Sequence, residues 1–252
     1  MLNDFLKDLT KYFPSLAVPI IVELIALPII TRLFSPGDYG NYILVKSSVL
    51  IMTILTTAWF SSSLTRFFPE FELKNKINIF NGTIIMLAVT AVCSISSLTA
   101  VIFLLLRSRI SNTFYSLLWV GLLLFVIFSF FDIFTKLLRA KRRPLEYSLF
   151  RIWYSVMGLV IGLTLIKLFH LDIKGLLWGL TISAFTSLPF LWISAIGKFP
   201  YKGISNVASI TLELAKFGVP ATGIYLLSWI QSLSDRYIIG FFRSSEDVGI
   251  YS

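Results

Sequence analysis

Apolar residues in this chain come in long runs, and polar residues gather in the short breaks between them. Seven runs stand out, at 13–33, 41–64, 79–106, 114–138, 147–168, 175–196 and 217–241. A helix of about 18 residues or more crosses roughly 30 Å of hydrocarbon, and each run meets that length. The breaks leave no room for an inserted soluble domain. The pattern predicts an all-α fold, a polytopic membrane helix bundle of about seven transmembrane helices. Ahead of the first run, Leu2, Phe5, Leu6, Leu9 and Phe13 recur at helical spacing, with Asp4, Lys7, Asp8 and Lys11 between them. That spacing predicts an amphipathic helix over 1–12 lying in the membrane interface. The run behind it is too long for the core of a signal peptide and lacks a small-residue cleavage site.

One short pattern occurs twice. Residues 29–42 and 238–251 align without a gap, 209 residues apart, with Ile29/Ile238, Ile30/Ile239, Ser35/Ser244, Asp38/Asp247, Gly40/Gly249 and Tyr42/Tyr251 identical. Both copies follow an apolar run. Ser35 fits a helix cap, Pro36 suits the first helical position, and Asp38 completes a capping-box pattern. Ser244 and Asp247 fit the same scheme. Each copy is therefore expected to end one span and start the next through a tight turn. Gly40 and Gly249 then allow close backbone approach. Repeated halves are common in membrane transporters. The division expected is an interfacial helix at 1–12, a six-helix lobe at 13–196, a linker at 197–216, and the first helix of a truncated second lobe at 217–252.

Composition sharpens this picture. The chain is 56% hydrophobic, its mean hydropathy is +0.84, and only 14% of its residues are charged. A soluble domain as the main body is excluded. The net charge of +9 is explained by topology, and a nucleic-acid partner is not expected. Of the 22 Lys and Arg, 14 fall on the side of the N-terminal tail and 6 on the opposite side, with Lys46 and Arg236 inside spans. The positive-inside rule then puts the N-terminus in the cytoplasm, and the protein is expected to be a multi-pass chain of the inner (plasma) membrane. The cluster Arg139-Ala-Lys-Arg-Arg-Pro144 reads as a cytoplasmic anchor at the lipid headgroups. Cys93 is a lone thiol in an apolar run, and His170 lacks companion ligands, so no metal and no cofactor are expected. Gly158-x-x-x-Gly162 and Gly175-x-x-x-Gly179 suit close helix packing. No phosphate-binding Gly-x-x-x-x-Gly-Lys-Ser/Thr loop occurs.

Charges inside spans carry the candidate chemistry. Each costs about 2.5–3.5 kcal/mol to insert, so it normally faces a cavity or a partner. Glu23 lies mid-span, Arg32 at the far end of the first span, Lys46 one turn into the second, and Arg66 at its close. Asp132 and Lys136 lie in the fourth, Asp235 and Arg236 in the seventh. Glu23 either faces a cavity, packs as a neutral carboxyl, or pairs with Lys46. Arg32 and Arg66 sit near enough to span ends to snorkel.

The stretch from Pro28 to Tyr42 resembles the end of the first helix in the Wzx-type flippases of polysaccharide biosynthesis. These belong to the multidrug/oligosaccharidyl-lipid/polysaccharide (MOP) exporter superfamily. Residues 234–240 and 247–251 are similar to its seventh helix and the following turn. The basic segment 139–144 falls where the family has its loop between helices four and five. The resemblance implies a non-enzymatic transporter of two six-helix lobes. It would flip a polyprenyl-diphosphate-linked oligosaccharide to the outer leaflet by alternating access. It also implies a cationic cavity in which Arg32, Arg66, Arg236 and Lys46 hold the diphosphate while Glu23, Asp132 and Asp235 position them or couple to ions. Membrane lipids and the polymerase and glycosyltransferases of the same pathway are the implied partners. The alternatives are an ion-coupled multidrug exporter of the same superfamily and a non-transporting half-protein or fragment. A membrane enzyme would need paired catalytic groups on a longer outer loop.

Overall fold

The structure, a computed structural model, describes residues 2–197 and 207–252, with side chains from residue 10 to 197 and from 209 to 252. Among the described residues it is entirely helical: α1 (Leu2–Leu33), α2 (Pro36–Leu73), α3 (Ile77–Leu105), α4 (Asn112–Ala140), α5 (Pro144–Phe169), α6 (Lys174–Ala195), α7 (Val207–Phe242) and α8 (Ser245–Tyr251). The first seven are long and apolar enough to cross a membrane. The result is a polytopic helical bundle, as the apolar runs predicted.

Several helices outrun the apolar windows that announce them. The second was expected over 41–64 and spans Pro36–Leu73. Hydropathy marks only the part in hydrocarbon, whereas a helix continues into the headgroup region, where water and lipid satisfy polar side chains. At 1.5 Å per residue, α2 is about 57 Å long, well beyond the hydrocarbon thickness. Likewise α7 begins at Val207, inside the segment expected to be a linker; residues 198–206 of that segment lie outside the described residues. The expected interfacial segment and the first span share the single helix Leu2–Leu33.

The most buried helix is α4, which packs against α2, α6, α5 and α3. Around it lies a core of large side chains, including Phe60, Leu64, Phe80, Leu117, Phe125, Phe131 and Leu137. By contrast, α1, α3 and α5 turn most of their residues outward, and those faces are equally apolar: Leu16, Leu24, Leu98, Leu105, Leu145 and Leu149 are all exposed. In water such a surface would collapse; against lipid tails it costs nothing. Several buried hydroxyls are satisfied within their own helices. Thr53 donates to the Val49 carbonyl, Ser129 to Phe125 and Thr181 to Leu177, at 2.7–2.8 Å.

Glycines set the closest helix contacts. On α6, a Cβ at Gly179 would overlap the Gly158 carbonyl oxygen of α5, and Gly162 lies against the backbone of Leu176. On α7, a Cβ at Gly218 would overlap the Trp59 carbonyl of α2. Hydrogen bonds reinforce that α2–α7 seam. Ser63 Oγ donates to the Leu214 carbonyl at 2.8 Å, and the Tyr237 hydroxyl donates to the Leu44 carbonyl at 3.2 Å.

Candidate functional site

The two copies of the repeated pattern meet. Ser35 caps α2, its Oγ accepting from Asp38 N at 3.2 Å and donating to Asp38 Oδ2 at 2.6 Å. Ser244 caps α8 in the same way, at 3.1 Å from Asp247 N and 2.9 Å from its Oδ2. A Cβ at Gly40 would overlap the carbonyl of Ser245, and a Cβ at Gly249 would overlap the carbonyl of Pro36. Pro36 and Ser245 are equivalent positions of the repeat, as are Gly40 and Gly249. The contact is thus reciprocal: each copy's glycine receives the other copy's first helical turn. This local two-fold sets α8 against α2 and brings the end of α7 beside the start of α2.

A gap opens below that contact. After the turn at Phe34 and Ser35, α1 leaves α2 and packs mainly on α5. Between them lies a cavity of about 620 Å³, walled by α1, α2 and α5, floored by α4 and α6, and edged by Leu233 and Arg236 of α7. Most of the lining is apolar, but four charged groups enter it: Glu23, Lys46, Arg151 and Arg236. Lys46 Nζ lies 3.0 Å from Glu23 Oε1. The pairing follows from the turn, because Glu23 is ten residues before Leu33 and Lys46 ten residues after Pro36, so both sit at one depth. Arg236 donates from Nε to Ser252 Oγ at 3.1 Å, and its terminal nitrogens have no hydrogen-bond partner among the described residues. Arg151 has no hydrogen-bond or ion-pair partner among the described residues. Tyr39, Tyr42, Tyr154, Ser47 and Ser155 add hydroxyls to the wall. Three cations against one carboxylate leave the cavity with a net charge of about +2.

Other candidates lie elsewhere. Arg32 is exposed on the last turn of α1, outside the cavity. Arg66 is exposed too, and twenty residues along α2 from Lys46 it stands about 30 Å away. A diphosphate is far smaller than that, so one such group does not reach Lys46 and Arg66 together in this conformation. Asp132 is engaged between α2 and α4: its Oδ2 accepts from Thr57 Oγ1 and lies 2.6 Å from Lys136 Nζ, which also donates to Thr57 at 3.1 Å. Asp235 accepts from the Tyr251 hydroxyl at 2.6 Å and from the Arg236 backbone N–H at 2.8 Å. That carboxylate pushes the Tyr251 phenol above its usual range, chiefly through the hydrogen bond.

Arg151 is the member of the cavity that sequence reasoning missed. Charge counting groups it with the 14 cations on the side of the N-terminal tail, because it lies close to the start of the fifth apolar run. The signal was present in Arg151, Tyr154, Ser155 and Gly158, a polar and small-residue face at i, i+3, i+4 and i+7.

Residues 12–252 match the family described as polysaccharide biosynthesis protein. No curated protein sequence matches the chain. Three solved structures are similar to it in fold. A multidrug resistance MATE family transporter of the MOP superfamily, in an outward-facing conformation, superposes with a TM-score of 0.67 and 16% identity over 88% of this chain and 51% of that one. A MATE protein in complex with MaD5 gives 0.63 and 14% identity, over 84% and 51%. A MOP superfamily transporter from Pyrococcus furiosus, with a binding pocket of reversed polarity, gives 0.58 and 13%, over 96% and 60%. The chain therefore spans about half to 60% of the length of these structures.

Proposed function

The chain belongs to the polysaccharide biosynthesis protein family, and from that premise we propose that its first six spans form one lobe, and its seventh the first helix of a second lobe, of an alternating-access transporter for a lipid-linked oligosaccharide. The sugar headgroup crosses through the cavity while its lipid tail stays in the bilayer. Lys46, Arg151 and Arg236 receive the anionic diphosphate that joins sugar to lipid. The observation that carries this reading is the sign and size of the cavity's charge. Its net +2 matches the two negative charges of a diphosphate diester. Both arginines offer planar forks suited to paired phosphate oxygens, and their charge persists at any physiological pH. An exporter of cationic drugs would meet repulsion at the same place. No bond is made or broken by the chain in this scheme. The glycosyltransferases that build the lipid-linked glycan supply its substrate, and a polymerase consumes what it delivers.

In this scheme the N-terminus is cytoplasmic and Ser244–Ser252 lie on the outer side of the plasma membrane, an orientation that the charge bias supports. The direct test of the function is flipping of a fluorescent polyprenyl-diphosphate glycan in vesicles holding the protein. Arg151→Ala and Arg236→Ala are expected to slow flipping at least tenfold, while Lys167→Ala, an exposed cation at the end of α5, stays within about twofold of wild type. Equal rates in Arg151→Ala and wild type would remove the cavity from the mechanism.

A further inference from the structure

The ion pair between Glu23 and Lys46 bridges helices that otherwise barely touch. Beyond their shared turn, α1 rests on α5, and few other contacts join it to α2. Glu23 has no other hydrogen-bond partner among the described residues, it lines the cavity, and 71% of its side chain is exposed. Lys46 is 39% open. The pair is therefore accessible to a solute, unlike Asp132–Lys136, whose side chains are 15% and 23% exposed and further tied down by Thr57. Glu23 is also the one acidic side chain in the cavity lining among the described residues. It stands 3.0 Å from a cation that has three N–H donors and no other hydrogen-bond or ion-pair partner among the described residues.

A carboxylate there presents the same chemistry to Lys46 as a phosphate oxygen. A diphosphate carries more charge and more acceptor oxygens than one carboxylate, and it can engage Arg151 and Arg236 at the same time. It therefore has the means to outcompete Glu23 for Lys46. We propose that Glu23 is the cavity's resident anion: it holds Lys46 when the cavity is empty, and an arriving diphosphate displaces it, which unfastens α1 from α2. Occupancy of the cavity is thereby coupled to the freedom of α1. The inference rests on the proposed diphosphate substrate and adds to it a residue that the substrate must displace. Once displaced, the carboxylate is left without a cation at mid-span, where charge is costly, so it rebinds Lys46 when the headgroup leaves. That rebinding resets the empty state.

The experiment uses the protein in lipid nanodiscs with farnesyl diphosphate as the probe. Binding is measured for wild type, Glu23→Gln, Lys46→Met, the double variant and Arg236→Ala. Spin labels at Ile21 and Leu55, exposed positions outside the cavity lining, report the α1–α2 distance in a Cys93→Ser background. Glu23→Gln is expected to bind the probe about tenfold more tightly, and the gain should vanish when Lys46 is Met. Probe should lengthen the label distance in the Glu23-containing protein, whereas Glu23→Gln should start long and stay so. If wild type binds the probe and Arg236→Ala weakens it, but Glu23→Gln changes neither affinity nor distance, the displacement idea is overturned and the substrate assignment stands. A gain that persists in the double variant also overturns it, because the effect would then be general charge removal. Absence of binding in every protein overturns the diphosphate assignment itself.

Discussion

Two glycines make the closest approaches of any glycine among the described residues, and their lack of a side chain is the reason. At Gly40 and at Gly249 a Cβ would overlap a carbonyl oxygen of the opposing helix turn, and backbone cannot move aside as a flexible side chain would. Gly40→Ala and Gly249→Ala are each expected to destabilise by about 1–3 kcal/mol through overpacking. A lowered thermal unfolding midpoint in detergent would show it, and Gly223→Ala, where nothing approaches, serves as the comparison. The charged residues divide on similar grounds of local geometry. Arg66 and Arg151 look alike in sequence, each a cation near the end of an apolar run. Yet Arg66 sits far out along α2, whereas Arg151 lines the cavity. A smaller loss of flipping in Arg66→Ala than in Arg151→Ala is the expected outcome in the vesicle assay. The reverse order would restore Arg66 as the binding residue that the family resemblance implied.

Among the elements, α5 and α6 are joined most closely, and three of their glycines explain how. Gly158 and Gly162 on one helix and Gly179 on the other bring backbone to backbone without intervening side chains, as small residues do wherever lipid gives no hydrophobic drive to associate. A bulky residue at Gly179 would have to displace backbone atoms of both Gly158 and Gly162. Gly179→Leu is therefore expected to separate α5 from α6 and, because α5 carries Arg151 and supports α1, to reduce flipping as well as stability. A variant that kept its melting temperature would contradict the packing account. The two long helices deserve a different explanation. Both α2 and α7 exceed the bilayer's hydrocarbon thickness, and they run along each other, held by Gly218 against Trp59 and by the Ser63–Leu214 hydrogen bond. Their apolar middles were plain in the sequence. Their polar ends were not, because hydropathy measures the solvent a segment prefers and helix length is set by backbone hydrogen bonding.

At the scale of the molecule, the repeat is what organises the cavity. The reciprocal contact of the two turns fixes the end of α7 and all of α8 against α2, and so carries Arg236 to the edge of a space otherwise made by α1, α2 and α5. A Cβ at Gly37 would sit 3.8 Å from Ser245 Oγ, within reach of a disulfide after a small adjustment. In a Cys93→Ser background, Gly37→Cys with Ser245→Cys is expected to cross-link under mild oxidant. If alternating access parts the two turns, the cross-linked protein should lose flipping and regain it on reduction. Failure to cross-link would refute the reciprocal contact. Substituted-cysteine labelling offers a test of orientation: a cysteine at Gly37 should react with an impermeant maleimide from outside intact cells, and one at Leu73 only after permeabilisation.

How much of this was readable in advance follows from which interactions are local. Seven spans and the all-helical class were set by composition along the chain, because hydrocarbon demands an apolar surface and internally satisfied backbone wherever a segment crosses it. The serine caps are likewise local, each formed between residues three apart. Depth is less local: the apolar runs put Glu23 mid-span and Lys46 one turn into the next, and only the observed helix bounds, Leu33 and Pro36, set the two level with each other. Which charges share a space is another matter. In lipid the inner and outer faces of α1 are equally apolar, so its periodicity does not say which way it turns, and the polar, small-residue face of α5 around Arg151 does not say which charges it meets. Only the packing of α1 onto α5 rather than α2, and the meeting of the two turns, decided that Lys46, Arg151 and Arg236 converge while Arg32 and Arg66 remain outside.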